Sequence, residues 1–315
     1  MGRVNEINRC ISCNDGCISR RVFRKLSIRC TVNPEAGREG RLAVSAASQK
    51  PKKVAVIGAG PAGMQAAIEM QNRGHQVFLF EKENRYGGQM ALAGIPLYRE
   101  KIKWFQEYLA DRITESGIEV YLATPATPAL LKDLAPHVVV VATGAQPCRL
   151  DIPGGEALSR FTAVDLLSKS LRPEGKSVAV IGGGMVGCET ALHLAEQSYQ
   201  VSLLEMLPVV AGDMETTSRK DLLIKLDQAH VEIKTNAKVI GFKENALVLQ
   251  EPRNKKEGHL PRPDVIVIAV GMQPDDGLYD ELKADFPAIH IIGDAKKPRK
   301  IIDAVYEGYI IGRTI

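Results

Sequence analysis

Short apolar runs recur along this chain, and two of them stop at a glycine. Lys53-Val54-Ala55-Val56-Ile57 runs into Gly58, and Ser177-Val178-Ala179-Val180-Ile181 runs into Gly182. A helical stretch follows each run, Met64 to Arg73 broken at Gly74 in the first case and Cys188 to Gln197 in the second. A further apolar run then closes each unit, Gln76 to Phe80 and Gln200 to Leu204. The pattern predicts one strand-helix-strand unit made twice. Val138 to Val141 and Val265 to Val270 show no polar alternation, which predicts strands covered on both faces of a parallel sheet. Ile102, Phe105, Tyr108, Leu109 and Ile113 share one face of an amphipathic helix that Gly117 ends. Val120 to Leu122 and Val231 to Ile233 read as strands, Ala237 to Gln250 as a hairpin, and Glu251 to Pro263 as a charged loop. Ile289 to Ile292 predicts a strand entering Gly293-Asp294, before a closing helix from about Ile301 to Ile311. The predicted fold class is α/β, with two Rossmann-like dinucleotide-binding domains.

The turns between strand and helix carry the chemistry. Gly58-x-Gly60-x-x-Gly63 and Gly182-x-Gly184-x-x-Gly187 have the glycine spacing that lets a turn tighten, a backbone approach a pyrophosphate, and a helix pack on its strand. The helix N-terminus then offers free N–H groups to the phosphates. Each second strand ends in an acid, Glu81 or Glu205, placed to accept hydrogen bonds from a ribose. Glycines at such a turn can serve packing alone, but two copies with both acids favour two bound nucleotides.

Four of the six cysteines fall in the first thirty residues, as Cys10-x2-Cys13-x3-Cys17-x12-Cys30. Ser12, Asn14, Asp15 and Gly16 make the loop between them easy to bend. Four thiolates suit zinc or an iron-sulfur cluster. Zinc ribbons usually present two paired arms, whereas three of these ligands share one loop and the fourth is remote. A [4Fe-4S] cluster is therefore favoured over zinc or no metal. A disulfide framework is not expected: Met1 to Arg9 is charged and has no apolar stretch of a signal peptide, so a reducing, cytoplasmic setting is. Cys148 and Cys188 lack redox-dithiol spacing and read as a loop thiol and a small packed helix residue.

With 45% apolar and 25% charged residues in 315, the composition is that of a globular chain large enough for two cores. No apolar stretch reaches the roughly 20 residues of a membrane span. Net charge is +4, and the first 50 residues are the basic part, with Arg9, Arg20, Arg21, Arg24, Lys25 and Arg29 among them. That charge either offsets thiolates and meets an acidic partner or simply forms a solvated face. No aromatic-interleaved basic stripe points to nucleic acid. The expected domains are a cluster segment over 1–50, a first dinucleotide-binding domain over 51–150 plus 272–315, and a second over 151–271. Ala43 to Lys50 reads as an extended connection.

The motifs in order, Cys10-Ile-Ser-Cys13-Asn-Asp-Gly-Cys17, Cys30-Thr-Val-Asn33-Pro34, Gly58-Ala-Gly60-Pro61-Ala62-Gly63, Gly87-Gly88-Gln89, Ala142-Thr143-Gly144, Gly182 to Glu189, and Ile292-Gly293-Asp294, resemble the C-terminal half of the 2,4-dienoyl-CoA reductase and trimethylamine dehydrogenase family of iron-sulfur flavoenzymes. The resemblance covers nearly all of residues 3 to 315. It implies FAD in the first unit, held by Gly58, Gly60, Pro61, Ala62, Gly63, Glu81, Gly88, Gln89, Ala126, Thr143, Gly144, Gly293, Asp294 and Ala304. It implies NAD(P)H in the second, held by Gly182, Gly184, Met185, Val186, Gly187, Glu205 and Gly271, with Glu189 near the nicotinamide or serving only the helix dipole. The cluster ligands would be Cys10, Cys13, Cys17 and Cys30. Glu205 opposes a 2′-phosphate, and Met206-Leu207-Pro208 offers no base to receive one, which favours NADH. Family members carry an FMN-binding barrel ahead of the cysteine motif, where this sequence starts. A separate FMN-barrel subunit or another redox protein is thus the expected partner, with higher oligomers left open. The expected activity is NADH oxidation through FAD and the cluster. The alternatives are a nucleotide-binding structural module with an inert second site and a zinc-stabilised NADH:flavin oxidoreductase.

Overall fold

Strands buried on both faces organise the protein, and alternate residues of each strand go to opposite sides. The computed structural model describes residues 6–42, 47–155, 159–168 and 171–315. They fall into two units, Met1–Gln146 with Gln273–Ile315, and Pro147–Met272. In the first unit β1 (Lys53–Ile57), α1 (Pro61–Asn72), β2 (Gln76–Phe80), α2 (Lys101–Glu115), β3 (Glu119–Tyr121) and β4 (Val138–Val141) follow one another. The second contains β5 (Ser159–Thr162), β6 (Ser177–Ile181), α3 (Met185–Ala195), β7 (Gln200–Leu204), α4 (Thr216–Gln228), β8 (Glu232–Lys234), β9 (Lys238–Lys243), β10 (Ala246–Gln250), β11 (Glu257–Pro261) and β12 (Val265–Ile268). The chain then returns to the first unit as β13 (Ile289–Ile291) and α5 (Ile301–Thr314).

Four strands of each parallel sheet follow one order, β4-β1-β2-β3 and β12-β6-β7-β8, but the outer strand differs: β13, which comes last in the chain, flanks β4, whereas β5, the first strand of its unit, flanks β12. Val54, Val56, Leu79, Val138 and Val140 face Met64, Ala67, Phe105 and Leu109 of α1 and α2. Ala55, Ile57, Phe78, Phe80, Val139 and Val141 turn the other way, onto Leu131 and Leu282. The continuous β-branched run at Val138 to Val141 is therefore doubly covered, as its lack of alternation predicts. In the second unit Ala179, Ile181, Ile266 and Ile268 pack on Leu247 and Leu249 of the small antiparallel sheet.

Three expectations need correction. Both dinucleotide helices begin three residues early, at Pro61 and Met185, because Gly60 and Gly184 are extended N-caps and the third glycine already lies in the first helical turn. Glu251 to Pro263 is not wholly a loop: Glu257–Pro261 pairs antiparallel with Ala246–Gln250 and makes the hairpin a three-stranded sheet. Leu260, opposite Leu247, packs on the core there, while Glu257, Gly258 and His259 are exposed, so no alternating pattern marked the strand. The connection expected over 43–50 lies partly outside the described residues, since 43–46 are not among them, and a short helix, Glu39–Leu42, precedes it. No helix among the described residues is long and apolar enough to cross a membrane.

The cysteine-bearing segment is built into the first unit. Ile11 and Val32 join its core, with Cys13 and Cys30 against them. Tyr309 of α5 donates its hydroxyl to Glu35 at 2.7 Å and accepts from Arg313 at 2.7 Å. Glu69 of α1 belongs to the same charged patch. Its carboxylate accepts from Gln65 at 3.0 Å, and burial pushes its pKa up to about 7, against the pull of Arg313 and with a smaller push from Glu35. The folded state therefore holds a proton here that the unfolded chain releases near pH 4.5. Stability falls as pH rises from that value to about 7 and stays reduced above it. We expect Glu69→Gln to flatten this part of the profile and to raise the urea midpoint at pH 8 relative to the parent. Parallel midpoint-against-pH curves for the two proteins would refute the assignment.

Candidate functional site

Both glycine turns are held by the same contacts. Gly58 has φ +104° and Gly182 φ +105°, where a side chain would be strained. A Cβ at Gly58 would lie 2.3 Å from the Ala142 carbonyl oxygen, and one at Gly182 would lie 2.4 Å from that of Ala269. At Gly63 and Gly187 it would strike the carbonyl oxygens of Gly58 and Gly182 at 1.9 and 1.8 Å. Helix and strand therefore meet with no space for a methyl group. Nothing stands within 4 Å of the Cβ position at Gly60, so the start of α1 opens onto free space.

The acids at the ends of β2 and β7 do more than the spacing argument foresaw. Glu81 accepts from the Ala59 N–H at 2.7 Å with one oxygen and from the Glu83 N–H at 2.9 Å with the other. Glu205 repeats this with Gly183 at 2.6 Å and Leu207 at 2.7 Å. Each glutamate is only 7% exposed, so these bonds offset the cost of burying its charge. The acids brace the turns, and each oxygen retains lone-pair capacity for a ribose hydroxyl.

Most residues assigned to the first site gather at its turn. The Gly87 N–H bonds the Ala59 carbonyl at 2.8 Å, and the Cβ position at Gly88 lies 3.3 Å from the Gly60 Cα. Gln89 donates to the Ala145 carbonyl. Gly144 accepts from the Asp275 N–H at 3.0 Å, and Thr143 donates to the Asp275 carbonyl. Gly293 sits against Ala62 and Ala304, its N–H bonded to Glu307 at 2.8 Å. Asp294 accepts from the Arg299 N–H at 3.0 Å, and burial pushes its carboxyl above the ordinary range, against Arg299. Ala126 follows Thr124, whose N–H bonds the Glu81 carbonyl at 2.8 Å, so its segment passes this acid.

At the second turn Val186 is 45% exposed, while Gly187 and Cys188 are buried. Glu189 lies half-buried one position further along α3. Gly271, at the exit of β12, has φ +109° and accepts from the Cys148 N–H at 3.0 Å. The Cys188 thiol contacts the Gly183 carbonyl at 3.4 Å. Burial pushes its pKa up to about 12, which makes it a packing group rather than a nucleophile. One residue of this site escaped the sequence reading: Asp213, whose carboxylate takes the Met185 N–H at 2.9 Å. It stands 28 positions away in a loop with no motif of its own.

All four cysteines of the quartet are free thiols, Cys10 and Cys17 exposed, Cys13 and Cys30 half-buried. Ser12 and Asn14 take φ of 56° and 59°, bending the first loop tightly. The Gly16 carbonyl accepts from the Arg29 N–H at 2.8 Å, which brings the backbone beside Cys17 to that beside Cys30. The Cys13 thiol lies 3.1 Å from the Thr31 hydroxyl. Among the described residues no group of three or more His, Cys, Asp or Glu side chains is arranged to hold a metal ion. In donor chemistry alone the four thiols match what zinc or an iron-sulfur cluster takes, and the Gly16–Arg29 bond draws their two loops together.

Comparison with known proteins agrees with the geometry. Residues 52–308 match the family model described as pyridine nucleotide-disulphide oxidoreductase. An NADH oxidase of Thermoanaerobacter brockii is 40% identical over 312 residues, 98% of this chain and 48% of that protein. The structure of 2-naphthoyl-CoA reductase in complex with 2-naphthoyl-CoA superposes with a TM-score of 0.92 at 30% identity, over 99% of this chain and 47% of that one. Histamine dehydrogenase from Rhizobium sp. 4-9 gives 0.90 at 25% identity, over 100% of this chain and 52% of that one. The chain thus spans about half the length of the relatives it matches. The resemblance read from the motifs holds, and with two braced dinucleotide turns and a family match across both, this chain is a member of the pyridine nucleotide-disulphide oxidoreductases, flavoproteins that use NAD(P)H.

Proposed function

We infer that this protein is an electron-transfer module that oxidises NADH, with FAD at the turn of Gly58 to Gly63, NADH at that of Gly182 to Gly187, and a [4Fe-4S] cluster on Cys10, Cys13, Cys17 and Cys30. The observation that carries the reading is the duplicated turn, with the same glycine approaches and the same two-bond acid in each copy. FAD held there would supply the chemistry that converts a two-electron hydride donor into single electrons for a cluster. The chain's own groups bind and orient. The open start of α1 at Gly60 receives the flavin pyrophosphate, Glu81 its ribose, and Gly88 and Gln89 flank the same turn. Glu205 holds the NADH ribose and opposes a 2′-phosphate, while Arg219 is engaged with the Val210 carbonyl at 2.9 Å.

The NADH oxidase relative, matched over half its length, supports NADH as the donor. That half-length match also supports an electron-accepting partner, an FMN-barrel subunit or another redox protein. The family's usual redox dithiol is not needed in this reading, and Cys148 and Cys188 are both free thiols. A zinc-stabilised NADH:flavin oxidoreductase would show the same turns without iron. A structural module would leave the second turn inert.

Anaerobic addition of NADH to the purified protein is expected to bleach flavin and iron-sulfur absorbance together, with NADPH at least about tenfold slower, as a ribose-binding acid discriminates. Flavin left oxidised by NADH would refute the reading. Cys13→Ser is expected to abolish iron and acid-labile sulfide while FAD stays bound. Zinc in place of iron in the parent protein selects the zinc-stabilised alternative. In Glu205→Gln one of the two braced N–H groups loses its acceptor, a cost of about 1–3 kcal/mol. The variant is expected to show a KM for NADH raised about tenfold at unchanged FAD content, and an unchanged KM would separate the acid from nucleotide binding.

A further inference from the structure

The two turns differ in what stands at the first amides of their helices. At α1, Gly60 caps the helix without a side-chain hydrogen bond, Pro61 has no N–H, and nothing stands within 4 Å of the Gly60 Cβ position. At α3 the Met185 N–H is already taken by Asp213, at 2.9 Å. The other Asp213 oxygen lies 3.8 Å from the Cβ position at Gly184. A carboxylate therefore occupies the place where this kind of turn receives a phosphate oxygen.

The loop carrying Asp213 is pinned on both sides. Leu207 N–H bonds Glu205 at 2.7 Å, Ala211 N–H bonds the Gly183 carbonyl at 2.6 Å, and Met214 N–H bonds the Ala211 carbonyl at 3.1 Å. Arg219 fastens Val210 from α4 at 2.9 Å. The Asp213 side chain itself is exposed, so a rotamer change suffices to free the amide while the loop stays in place. Glu189 and Glu205 add their charge to the same turn, and both act with Asp213 on the Cys188 thiol.

We propose that Asp213 is a built-in competitor for the dinucleotide pyrophosphate at the second turn: it caps the Met185 N–H in the empty site, leaves when NADH binds, and so lowers the affinity of this site. This rests on the reading of the second turn as the NADH site. An equilibrium that must first vacate the amide reduces apparent affinity by the fraction of sites already vacated. Between two anions, the carboxylate and the phosphate, only one can hold the N–H. The consequence is a second site that exchanges its nucleotide readily, whereas the first meets no such competitor.

The test is calorimetric titration of the FAD-loaded protein with ADP-ribose, which carries the pyrophosphate but transfers no hydride, and with adenosine, which carries no phosphate. Asp213→Ala is expected to tighten ADP-ribose on the order of threefold to thirtyfold, the range spanned by a helix-capping side chain. Asp213→Asn keeps an acceptor for Met185 without the charge and is expected to tighten it by less. Adenosine affinity is expected to stay the same in all three proteins, whereas a purely structural role would move both ligands together. ADP-ribose affinity unchanged or weakened in Asp213→Ala, with the parent binding normally, would overturn the competitor role. If Asp213→Ala fails to fold, Asp213→Asn carries the same test, and unchanged ADP-ribose affinity there overturns the role. Failure of parent and variants alike to bind ADP-ribose would overturn the NADH assignment of the turn, and the competitor role with it.

Discussion

The carboxylate that takes two backbone N–H groups, Glu81 in one unit and Glu205 in the other, is the interaction on which both turns depend. A buried anion is costly unless it is hydrogen-bonded, and an N–H left without an acceptor is costly as well. Each acid resolves both costs at once, by joining the end of one parallel strand to the turn that leaves its neighbour. Gly58 and Gly182 then hold the chain in a conformation other residues avoid, and Gly63 and Gly187 let the helix come down on the strand. The free space above Gly60 follows from this frame, since the turn cannot relax to fill it.

The cysteine segment depends on the first unit in a different way. It has little regular structure, so its shape comes from what it is tied to. Ile11 and Val32 enter the core, Asp15 pairs with Lys300, and Arg29 and Arg38 lie over the ring of Tyr306 at 5.3 and 4.2 Å. Three of these anchors lead to α5 or the residue before it, the part of the chain that returns from the second unit. The return of the chain to the first unit thus supplies contacts that shape the cysteine loops. Between Gly16 and Pro34 the segment has basic side chains and no acidic ones, a charge that would offset thiolates gathered on a cluster in the proposed reading.

Much of the fold was legible because its signals are local. Four-residue apolar runs ending at glycine marked β1 and β6, and Ile102, Phe105, Leu109 and Ile113 marked α2 on their buried face. The misses have physical causes. β11 has only Leu260 on the core and is otherwise exposed, so its pairing with β10 decides its structure more than its own pattern. β5 is an edge strand with one buried residue, Thr162, and was silent for the same reason. In the site, glycine spacing and acid position were readable, since they recur at fixed offsets. The bracing role of the acids and the reach of Asp213 to Met185 depend on how a loop folds back, which no offset encodes.

The repeat explains why Asp213 was the residue to escape notice. Two copies of one design invite the same reading for both, and in strands, glycines and acids they agree. They diverge where α1 places Pro61 and α3 places Met185, one residue beyond the second glycine. Proline has a fixed φ suited to the first helical position and no N–H, so no carboxylate can be held there. Methionine keeps its N–H, and a carboxylate that finds it gains a charge-assisted bond. A cofactor that stays bound would be served by the first arrangement, because no side chain holds the first helical amide there. A nucleotide that arrives, reacts and leaves would be served by the second, where, in the proposed reading, Asp213 takes back the Met185 amide as the phosphate withdraws.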